Sequence, residues 1–448
     1  MIQNWNNKRV TVMGLGKFGG GAGVTRWLAQ NGARVLLTDK ARPADLEPAL
    51  KQIADLNLEL RLGEHRPEDF RDTELLIVTP AVPDTNEFVQ IARDAGVPIT
   101  TEINLFVERC PAACVGVTGS VGKSTTTAMI GHVLERARPE RRTWVGGNLG
   151  VSLLDNLLKI SESDVVVLEL SSFQLARTHA VEWSPNVAVV TNVSPNHIDW
   201  HGDYDAYVAA KLEILRFQDR ARDTLILGDH AELRDRVSAA RGDLRGVWTY
   251  GLQDGTPIAY CNGASLRWEN VKLAIPGRHN RENAAAALTV AYALGVEAHV
   301  ATTALASFEG LEHRLQRVAL RAGVTYYNDS KSTTPESAIT AMNAIETPLL
   351  IILGGYDKKS DLTPAAETAA RRTKFAACIG VTGPTLAEKI RAAGGRAELC
   401  DSLAAAVAAC RAHAAPGDSV LLSPACASWD MFSDYRQRGD EFARLARE

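Results

Sequence analysis

The sequence lacks three features that would assign it quickly to a class of protein. It has no basic excess, because 49 Lys and Arg stand against 53 Asp and Glu, giving a formal net charge of -4. It has no apolar run near the ~18 residues of a membrane helix, and its first residues contain no apolar signal-peptide core. These absences argue against nucleic-acid-binding and membrane proteins, so we expect a cytoplasmic protein with neither kind of partner.

Paired cysteines are also lacking. The seven cysteines are odd in number, scattered along the chain, and form no Cys-x-x-Cys pair. A disulfide framework or a zinc site is therefore not expected, and the pattern favours reduced thiols.

The 448 residues suggest about three domains at roughly 150 residues each. Short β-branched runs alternate with alanine-rich helical stretches, which predicts an α/β protein with parallel sheets covered by helices on both faces. The predicted domains are 1–102, 103–310 and 311–448. The predicted strands are Arg9–Met13, Arg34–Thr38, Glu74–Val78, Cys114–Val117, Val165–Leu170, Val187–Val190, Thr224–Leu227, Leu349–Leu353, Ala377–Ile379 and Ser419–Leu422.

The strongest motif is a glycine-rich segment between an apolar strand and a helix predicted from Thr125 to Glu135. Its backbone N–H groups are suited to phosphate oxygens, Lys123 to their charge, and the Ser124 hydroxyl to Mg²⁺. A strict Walker A pattern would have Gly where Val117 stands. We call this segment the phosphate loop; it comprises Thr118, Gly119, Ser120, Val121, Gly122, Lys123, Ser124 and Thr125.

A second glycine-rich segment follows the first strand. Gly14, Gly16 and Gly19 form a dinucleotide-type fingerprint, the glycine turn, and Asp39 ends the next strand. Such glycines allow close approach of a diphosphate, and the acidic residue reaches a ribose or base. The residues alone leave open an NAD site, another nucleotide diphosphate, or a turn without a ligand.

Other polar residues follow predicted strands of the middle of the chain. Glu169 is placed to hold Mg²⁺ directly or through water, whereas Ser171 and Ser172 are equally typical of a helix cap. His197 and His201 could bind metal or substrate, or could be solvated loop residues. The sequence pattern does not distinguish Lys211 from other helix lysines.

Four further polar clusters lie towards the C-terminus, where each alone could be a surface turn. The last three follow strands, which indicates a shared cleft. The clusters are Gly277–Asn283, Asn328–Thr333, Gly354–Lys359 and Leu422–Asp430.

Six ordered motifs resemble those of the Mur ligases, the ATP-dependent amide-forming enzymes of peptidoglycan synthesis, and the resemblance covers the whole chain. The motifs are Thr118–Thr125, Gly146–Gly150, Leu168–Leu175, His279–Asn283, Asn328–Lys331 and Ser423–Ser428. The resemblance implies an N-terminal Rossmann-like domain for a UDP-linked substrate, a central P-loop ATPase domain, and a C-terminal Rossmann-like domain that closes on both. It further implies ligation of D-glutamate to UDP-N-acetylmuramoyl-L-alanine by a monomer.

The resemblance also implies roles for individual residues. The implied ATP-binding residues are Gly119, Ser120, Val121, Gly122, Lys123, Ser124, Thr125, Asn280, Asn283, Arg314 and Asp329. The implied substrate-binding residues are Gly14, Gly16, Gly19, Asp39, Asn148, Ser171, Thr333, Lys358, Ser428 and Tyr435. The implied ligands of two Mg²⁺ ions are Ser124, Glu169, His197 and Lys211, and the implied catalytic residues are Lys123, His197, Lys211, Arg314 and Lys331.

Lys211 matches a lysine that CO₂ converts to a carbamate in this family. The chain also departs from the family pattern at four positions. Val121 and Thr334 stand where Asn is common, Ala81 where Gly is common, and Tyr435 where Phe is common.

The mechanism that the resemblance implies forms an acyl phosphate from ATP and the UDP-sugar carboxylate, which the amine of D-glutamate then attacks. Three alternatives remain open at this point. They are a sister ligase such as one using L-glutamate or a folylpolyglutamate synthase, an NAD-dependent dehydrogenase, and a P-loop ATPase switch.

Overall fold

The computed structural model describes residues 4–16, 21–149, 152–357 and 359–448. The chain divides into two compact units. The first runs up to Gly251 and includes Ile258–Arg267 and Ala285–Glu297; the second comprises Leu252–Pro257, Trp268–Ala284 and Ala298–Glu448. In the described part of the chain, no helix has the length and apolar character needed to cross a membrane. All seven cysteines are free.

The N-terminal part of the first unit contains a five-stranded parallel sheet in the order β3-β2-β1-β4-β5. Its strands are β1 Arg9–Met13, β2 Arg34–Asp39, β3 Glu59–Leu62, β4 Leu75–Val78 and β5 Ile99–Thr100. The helices are α1 Ala22–Gln30, α2 Glu47–Leu50, α3 Pro67–Arg71, α4 Glu87–Asp94 and α5 Glu102–Val107, with 3-10 turns at Pro43–Asp45 and Lys51–Ile53. The parallel order places the glycine turn and the end of β4 at one edge of this sheet.

An eight-stranded sheet follows, in the order β13-β12-β11-β10-β9-β6-β8-β7. Its strands are β6 Ala113–Thr118, β7 Thr143–Gly147, β8 Val165–Glu169, β9 Val187–Val190, β10 Thr224–Gly228, β11 Trp248–Gln253, β12 Thr256–Cys261 and β13 Ala264–Arg267. The helices are α6 Lys123–Ala137, α7 Ser172–Leu175, α8 Ile198–His201, α9 Tyr204–Leu212, α10 Ala231–Arg241, α11 Arg278–Ala293 and α12 Ala298–Ala306. Short 3-10 turns cover Leu154–Lys159, Thr178–Val181 and Glu213–Leu215.

The C-terminal part of the second unit contains a six-stranded sheet in the order β14-β15-β19-β16-β17-β18. Its strands are β14 Gln316–Arg321, β15 Val324–Asn328, β16 Leu349–Gly354, β17 Thr373–Ile379, β18 Ala397–Leu399 and β19 Ser419–Leu422. The helices are α13 Pro335–Ala344, α14 Thr363–Arg372, α15 Gly383–Ala392, α16 Leu403–His413 and α17 Tyr435–Arg447.

The central strands are buried on both faces, as expected for parallel sheets with helices on each side. In β16, Leu349, Ile351 and Leu353 belong to one hydrophobic core. The alternate residues Leu350 and Ile352 belong to a second core on the opposite face. Because both faces of the sheet are packed against buried side chains, its strands hold the strand-end loops in place.

The prediction of an α/β fold is confirmed, but the sheets are not entirely parallel. β12 pairs with β13 and β14 pairs with β15 in antiparallel hairpins. In both hairpins a short turn joins consecutive strands, a connection that antiparallel pairing permits and parallel pairing does not.

Candidate active site

The phosphate loop leaves β6 at the middle of the central sheet, where β6 pairs with β8 on one side and β9 on the other. Gly119 has φ +145°, and a Cβ there would lie 1.9 Å from Thr191 Oγ1 at the end of β9. Gly122 has φ +86° and immediately precedes α6. Because neither position suits an L side chain, the glycine spacing is required by the fold of the loop.

Thr191 and Asn192, which follow β9, hold the backbone of the phosphate loop at Val121. The Asn192 side chain accepts a hydrogen bond from Val121 N at 2.9 Å and donates one to Val121 O at 3.0 Å. Thr191 Oγ1 also donates to Val121 O, at 2.7 Å. The Val121 side chain itself is 66% exposed. The backbone of the phosphate loop is therefore fixed at Val121, although the family pattern has Asn at this position.

Two lysine amines lie against the loop. Lys123 Nζ donates to Ser120 O at 3.0 Å, and Lys211 Nζ donates to Gly119 O at 2.7 Å. Lys211 is only 1% exposed, and its amine lies 4.6 Å from the centre of the Tyr207 ring. Burial, together with the charge of Lys123, lowers the pKa of Lys211 to about 7. A large fraction of this amine is therefore neutral, and so nucleophilic, near pH 7.

Glu169 supplies a carboxylate beside these amines. It ends β8, is 2% exposed, and accepts a hydrogen bond from Asn148 Nδ2 at 2.7 Å through Oε1. Its other oxygen, Oε2, is buried without a hydrogen-bond partner. A buried carboxylate oxygen in this state is expected to take a cation or a water bound to one.

The loop that begins α8 packs on an aromatic side chain. The Phe173 ring centre lies 4.8 Å from that of His197 and 5.5 Å from that of His201. His201 Nε2 hydrogen-bonds to Ser172 Oγ at 2.9 Å, and desolvation with the charge of Lys211 lowers the pKa of His201 to about 4. Desolvation and the Lys123 and Lys211 charges also lower the pKa of His197. Both imidazoles are therefore neutral at pH 7.

These histidines do not form a three-ligand metal centre of the transition-metal type. Within the residues that the structure describes, no group of three or more His, Cys, Asp and Glu side chains is placed to hold a metal ion. A Mg²⁺ ion needs fewer protein ligands, since it keeps several waters and usually takes one or two carboxylates with substrate phosphates. The unpartnered oxygen of Glu169 and the half-buried Ser124 near the start of α6 fit that ligand set.

The Ser171 side chain caps α7 in a reciprocal capping box with Gln174. The capping interpretation of this serine is therefore confirmed.

The glycine turn of the N-terminal sheet is held by a carboxylate. Gly14 has φ +97°, and a Cβ there would lie 2.5 Å from Thr79 Oγ1. Asp39 Oδ2 accepts hydrogen bonds from Leu15 N at 2.9 Å and from Gly16 N at 3.0 Å. These two hydrogen bonds to Asp39 hold the backbone of the glycine turn in place. The predicted residue Gly19 lies outside the described residues.

In the second unit, Asp329 follows β15 and is 5% exposed. It accepts hydrogen bonds from Ser423 Oγ at 2.8 Å and from Leu315 N at 3.1 Å. Burial raises the pKa of Asp329 to about 6, and the nearby charge of Arg314 opposes the rise. Arg314 therefore lies close enough to Asp329 to influence its pKa. Both residues were predicted to bind ATP.

Lys331 lies close to the start of α17. Its amine is 5.4 Å from the centre of the Tyr435 ring, and Ser330 Oγ donates to Tyr435 O at 2.8 Å. Ser428 is 2% exposed, and its carbonyl accepts from the amides of two following residues. Thr333 is half-buried between Lys331 and the cap of α13. Lys358 lies outside the described residues.

The two asparagines of the α11 motif contact each other. Asn283 Nδ2 donates to Asn280 Oδ1 at 3.3 Å, and Asn280 Nδ2 donates to Pro276 O at 2.6 Å. Both are buried at the beginning of the helix.

The structure therefore brings the predicted residues together in two groups. The first unit gathers Lys123, Asn148, Glu169, His197 and Lys211 around the phosphate loop, with the glycine turn and Asp39 on a separate sheet. The second unit gathers Arg314, Asp329, Lys331 and Tyr435.

Sequence reasoning missed several supporting residues. Asn192 and Tyr207 hold the phosphate loop, the latter through a 2.9 Å hydrogen bond to Ser120 Oγ. Arg438, 1% exposed, donates to Ser330 Oγ and O at 3.0 and 2.8 Å and to Cys426 O at 3.2 Å. Asn192 could have been found from its place after a strand, but nothing in the sequence around Arg438 marks it as buried.

Three family models match the chain in order. "Mur ligase MurD-like, N-terminal domain" matches residues 8–101, "Mur ligase middle domain" matches residues 117–291, and "Mur ligase, glutamate ligase domain" matches residues 313–426.

Curated relatives and a solved structure match over nearly the full length. A UDP-N-acetylmuramoylalanine--D-glutamate ligase of Roseiflexus sp. is 38% identical, over 98% of each chain. The same-named protein of Symbiobacterium thermophilum is 37% identical, over 98% of this chain and 97% of its own length. The crystal structure of the UDP-N-acetylmuramate-alanine ligase MurC from Thermotoga maritima has the same fold, with a TM-score of 0.60 and 19% identity over 97% of this chain and 98% of that chain. On this full-length similarity, the chain belongs to the Mur ligase family.

Proposed function

We propose that this protein is an ATP-dependent ligase that joins the amine of D-glutamate to the carboxylate of UDP-N-acetylmuramoyl-L-alanine, yielding ADP and phosphate. The observation that carries the proposal is the full-length identity of 37–38% to ligases bearing that name. The phosphate loop, with two lysine amines and a buried carboxylate, supports the ATP-dependent step. We further propose that this synthesis takes place in the cytoplasm.

In the first step, an oxygen of the UDP-sugar carboxylate attacks the γ-phosphorus of ATP, and the bond to the β-phosphate oxygen breaks. The products are an acyl phosphate and ADP. Negative charge spreads over the phosphoryl oxygens in the transition state, and fixed cations stabilise it most when they need not reorganise. Lys123, held by its bond to Ser120 O, is the cation that the phosphate loop supplies. Arg314 and Lys331 are the candidate cations of the second unit.

In the second step, the neutral amine of D-glutamate attacks the acyl carbon, phosphate leaves from the tetrahedral intermediate, and the nitrogen gives up a proton to the departing phosphate or to water as the amide forms. Thr333, Lys358, Ser428 and Tyr435 are proposed to receive the amino acid. Asp329 is proposed to bind the ATP ribose, with Asn280 and Asn283 near the adenine. We expect positioning to supply most of the rate, since neither bond change requires a strong protein base.

Mg²⁺ fits the residues present around Glu169. When bound, Mg²⁺ neutralises phosphate charge and orients the phosphoryl group. Ser124, Glu169 and His197 are the side chains proposed to hold two such ions, and Asn148 keeps Glu169 Oε1 in place. The neutral state of His197 at pH 7 is the form that ligates metals.

Lys211 is proposed to carry a carbamate derived from CO₂. Carbamate formation requires a neutral amine, and the lowered pKa of about 7 provides one near neutral pH. The modification would replace a buried cation by an anion beside Glu169 and His197, which would complete a Mg²⁺ environment.

The glycine turn is proposed to hold the UDP end, through Gly14, Gly16, Gly19 and Asp39, while Asn148 and Ser171 meet the muramoyl part. The proposed domains are 1–102, 103–310 and 311–448, in a monomer whose C-terminal domain closes when substrates bind. Solution scattering that shows no compaction with an ATP analogue and the UDP-sugar would count against closure.

The decisive test is phosphate release from ATP and Mg²⁺ with UDP-N-acetylmuramoyl-L-alanine, in parallel with D-glutamate, L-glutamate, other amino acids or no amino acid. Release that needs both the UDP-sugar and D-glutamate, with the amide product identified by mass, is the expected result.

The other outcomes separate the alternatives. A preference for L-glutamate keeps the mechanism and changes the acceptor, whereas release indifferent to both substrates indicates a P-loop ATPase. NADH binding abolished by changing the glycine turn would support a dehydrogenase instead.

A further inference from the structure

One arginine of the central region reaches a loop at the edge of the N-terminal sheet. Arg177 follows α7, is 5% exposed, and donates through Nη2 to Val82 O at 2.7 Å and to Asp84 Oδ1 at 2.7 Å. Its Nε donates to the same Asp84 oxygen at 3.1 Å. The guanidinium thus holds both the backbone and a side chain of the loop between β4 and α4.

The backbone of Arg177 is itself held in place. Asn104 of α5, which is fully buried, donates through Nδ2 to Arg177 O at 2.9 Å. Arg177 Nη1 is buried without a hydrogen-bond partner. Because burying a charge with one donor unsatisfied adds little to stability, the contact is better explained by the geometry it imposes.

The loop that Arg177 holds lies directly against the glycine turn. It begins at Thr79, whose Oγ1 donates to Met13 O at 3.1 Å and occupies the space that a side chain on Gly14 would need. A second contact from the central region reaches the same loop, since Trp200 Nε1 donates to Ala81 O at 3.3 Å. We call Thr79–Asp84 the bridging loop.

Trp200 connects the bridging loop to the residues around the phosphate loop. Its ring packs on Phe173 and on His201, at centre-to-centre distances of 4.9 and 4.5 Å. Phe173 in turn packs on His197. The bridging loop therefore has the glycine turn on one side and the proposed Mg²⁺ environment on the other.

We propose that Arg177 is a positioning residue for the UDP-sugar: it fixes the bridging loop on the central region, so that a substrate held at the glycine turn presents its carboxylate at the phosphate loop. The inference rests on the proposed function, in which the UDP end binds the glycine turn. Arg177 contacts no reacting atom in that mechanism and acts through the loop. A displacement of about 1 Å at the far end of a substrate is enough to impair reaction.

The test compares four variants of the full chain, R177M, D84N, R93M and R177K. R177M keeps much of the side-chain volume but removes every bond to the bridging loop. D84N weakens the same contact and is not expected to unfold the protein, because the Asp84 side chain is 47% exposed. R93M is the matched control: Arg93 of α4 lies 3.8 Å from the same Asp84 oxygen, yet it belongs to the N-terminal region and is half exposed.

We expect R177M to raise the KM for UDP-N-acetylmuramoyl-L-alanine about tenfold or more, the size of effect that loss of a buried charged anchor produces. The KM values for ATP and D-glutamate should stay within about twofold. D84N should act in the same direction with a smaller effect, and R93M should resemble wild type. R177K, which keeps the charge but not the forked geometry, should recover only part of the loss.

Hydrogen exchange gives a readout that does not depend on activity. The amides of Val82 and Asn86, which donate to Thr79 O and Pro83 O, should exchange faster in R177M and D84N than in wild type or R93M. If R177M does not fold, D84N decides both measurements.

Several results would overturn the proposal. These are unchanged exchange in folded R177M, faster exchange with an unchanged KM for the UDP-sugar, equal losses for all three substrates, or an equal effect in R93M. A wild-type protein indifferent to the UDP-sugar would overturn the proposed function and the substrate role together, whereas the exchange measurement would still report on the loop contact alone.

Discussion

Two glycine-rich turns join a parallel strand to a helix in this protein, and they are supported by charges of opposite sign. At the glycine turn, the Asp39 carboxylate accepts hydrogen bonds from the amides of Leu15 and Gly16. At the phosphate loop, the amines of Lys123 and Lys211 donate to backbone carbonyls. The same kind of turn is therefore supported by a carboxylate in one place and by lysine amines in the other, of which Lys123 supplies the positive charge.

The difference indicates which ligand each turn can hold. Amides that already bind a carboxylate have less capacity for a charge-dense anion, so the glycine turn suits a nucleotide end that also offers hydroxyl donors to Asp39. The phosphate loop presents the Lys123 amine and the start of a helix, which suit a triphosphate. Glycine spacing alone predicts the turn; the side chains behind it determine its electrostatics.

The largest expected effect comes from removing the cation of the phosphate loop. Lys123→Met should lower kcat/KM for ATP about a thousandfold, because a fixed charge at the phosphoryl oxygens is lost. Phosphate release with all substrates measures it. Lys159→Met, which changes an exposed lysine of the central region, serves as the control and should retain activity. A loss below about tenfold would show that the loop charge is not decisive.

A smaller but more diagnostic effect is expected from the second lysine of this site. Lys211→Ala should lower kcat about a hundredfold if an anionic carbamate organises Mg²⁺ there. Short carboxylates such as acetate should then restore part of the activity, because they can occupy the space vacated by the buried side chain. The Lys123→Met variant provides the comparison, since the same acetate should not rescue it. Full activity of Lys211→Ala would remove the carbamate from the mechanism.

The anionic support of the glycine turn can be weakened in the same way. Asp39→Asn should raise the KM for the UDP-sugar about tenfold, which corresponds to about 1.4 kcal/mol, since the Asn oxygen still accepts hydrogen bonds from the turn but without the charge that strengthens them. The KM for ATP should not change. Asp45→Asn, a surface change in the same region, is the control. An altered KM for ATP would mean that the two turns do not act separately.

Most interior strands could be predicted from sequence, although β11 and β12 were missed, whereas the edge strands could not. Arg9–Met13, Val187–Val190 and Ser419–Leu422 match the structure to the residue. Every sheet edge was missed; the edges are β3, β5, β7, β13, β14 and β18. Edge strands are short and half covered, so they lack the continuous apolar run that marks a strand buried on both faces.

The candidate site shows the same division. Glycines and strand-end polar residues such as Glu169 were predicted, because parallel sheets bring strand ends together. The burial of Lys211 was not, since nothing in the sequence of its helix, Tyr204–Leu212, distinguishes it from an exposed helix lysine. Hydrogen bonds join Asn192 to Val121 and Arg438 to Ser330, although these pairs are 71 and 108 positions apart in the sequence. No local pattern records such contacts.

The smallest effect is expected at a third strand-end carboxylate, which differs from Asp39 in being buried. Asp329 has its pKa raised from 3.8 to about 6 by burial, so the native state holds this proton more tightly than the unfolded state does. Falling pH between about 6 and 3.8 therefore favours the native state at this site, and above about 6 the native state bears the full cost of the buried charge. Asp329→Asn removes that cost while keeping an acceptor for Leu315 N. We expect its Tm to exceed that of wild type by about 2–4 °C at pH 8, and the advantage to shrink as the pH falls from about 6 towards 3.8. Thermal unfolding of both proteins across this pH range measures the difference in Tm, with Asp45→Asn as the exposed control. A difference in Tm that did not vary with pH would show that burial does not raise the pKa of Asp329.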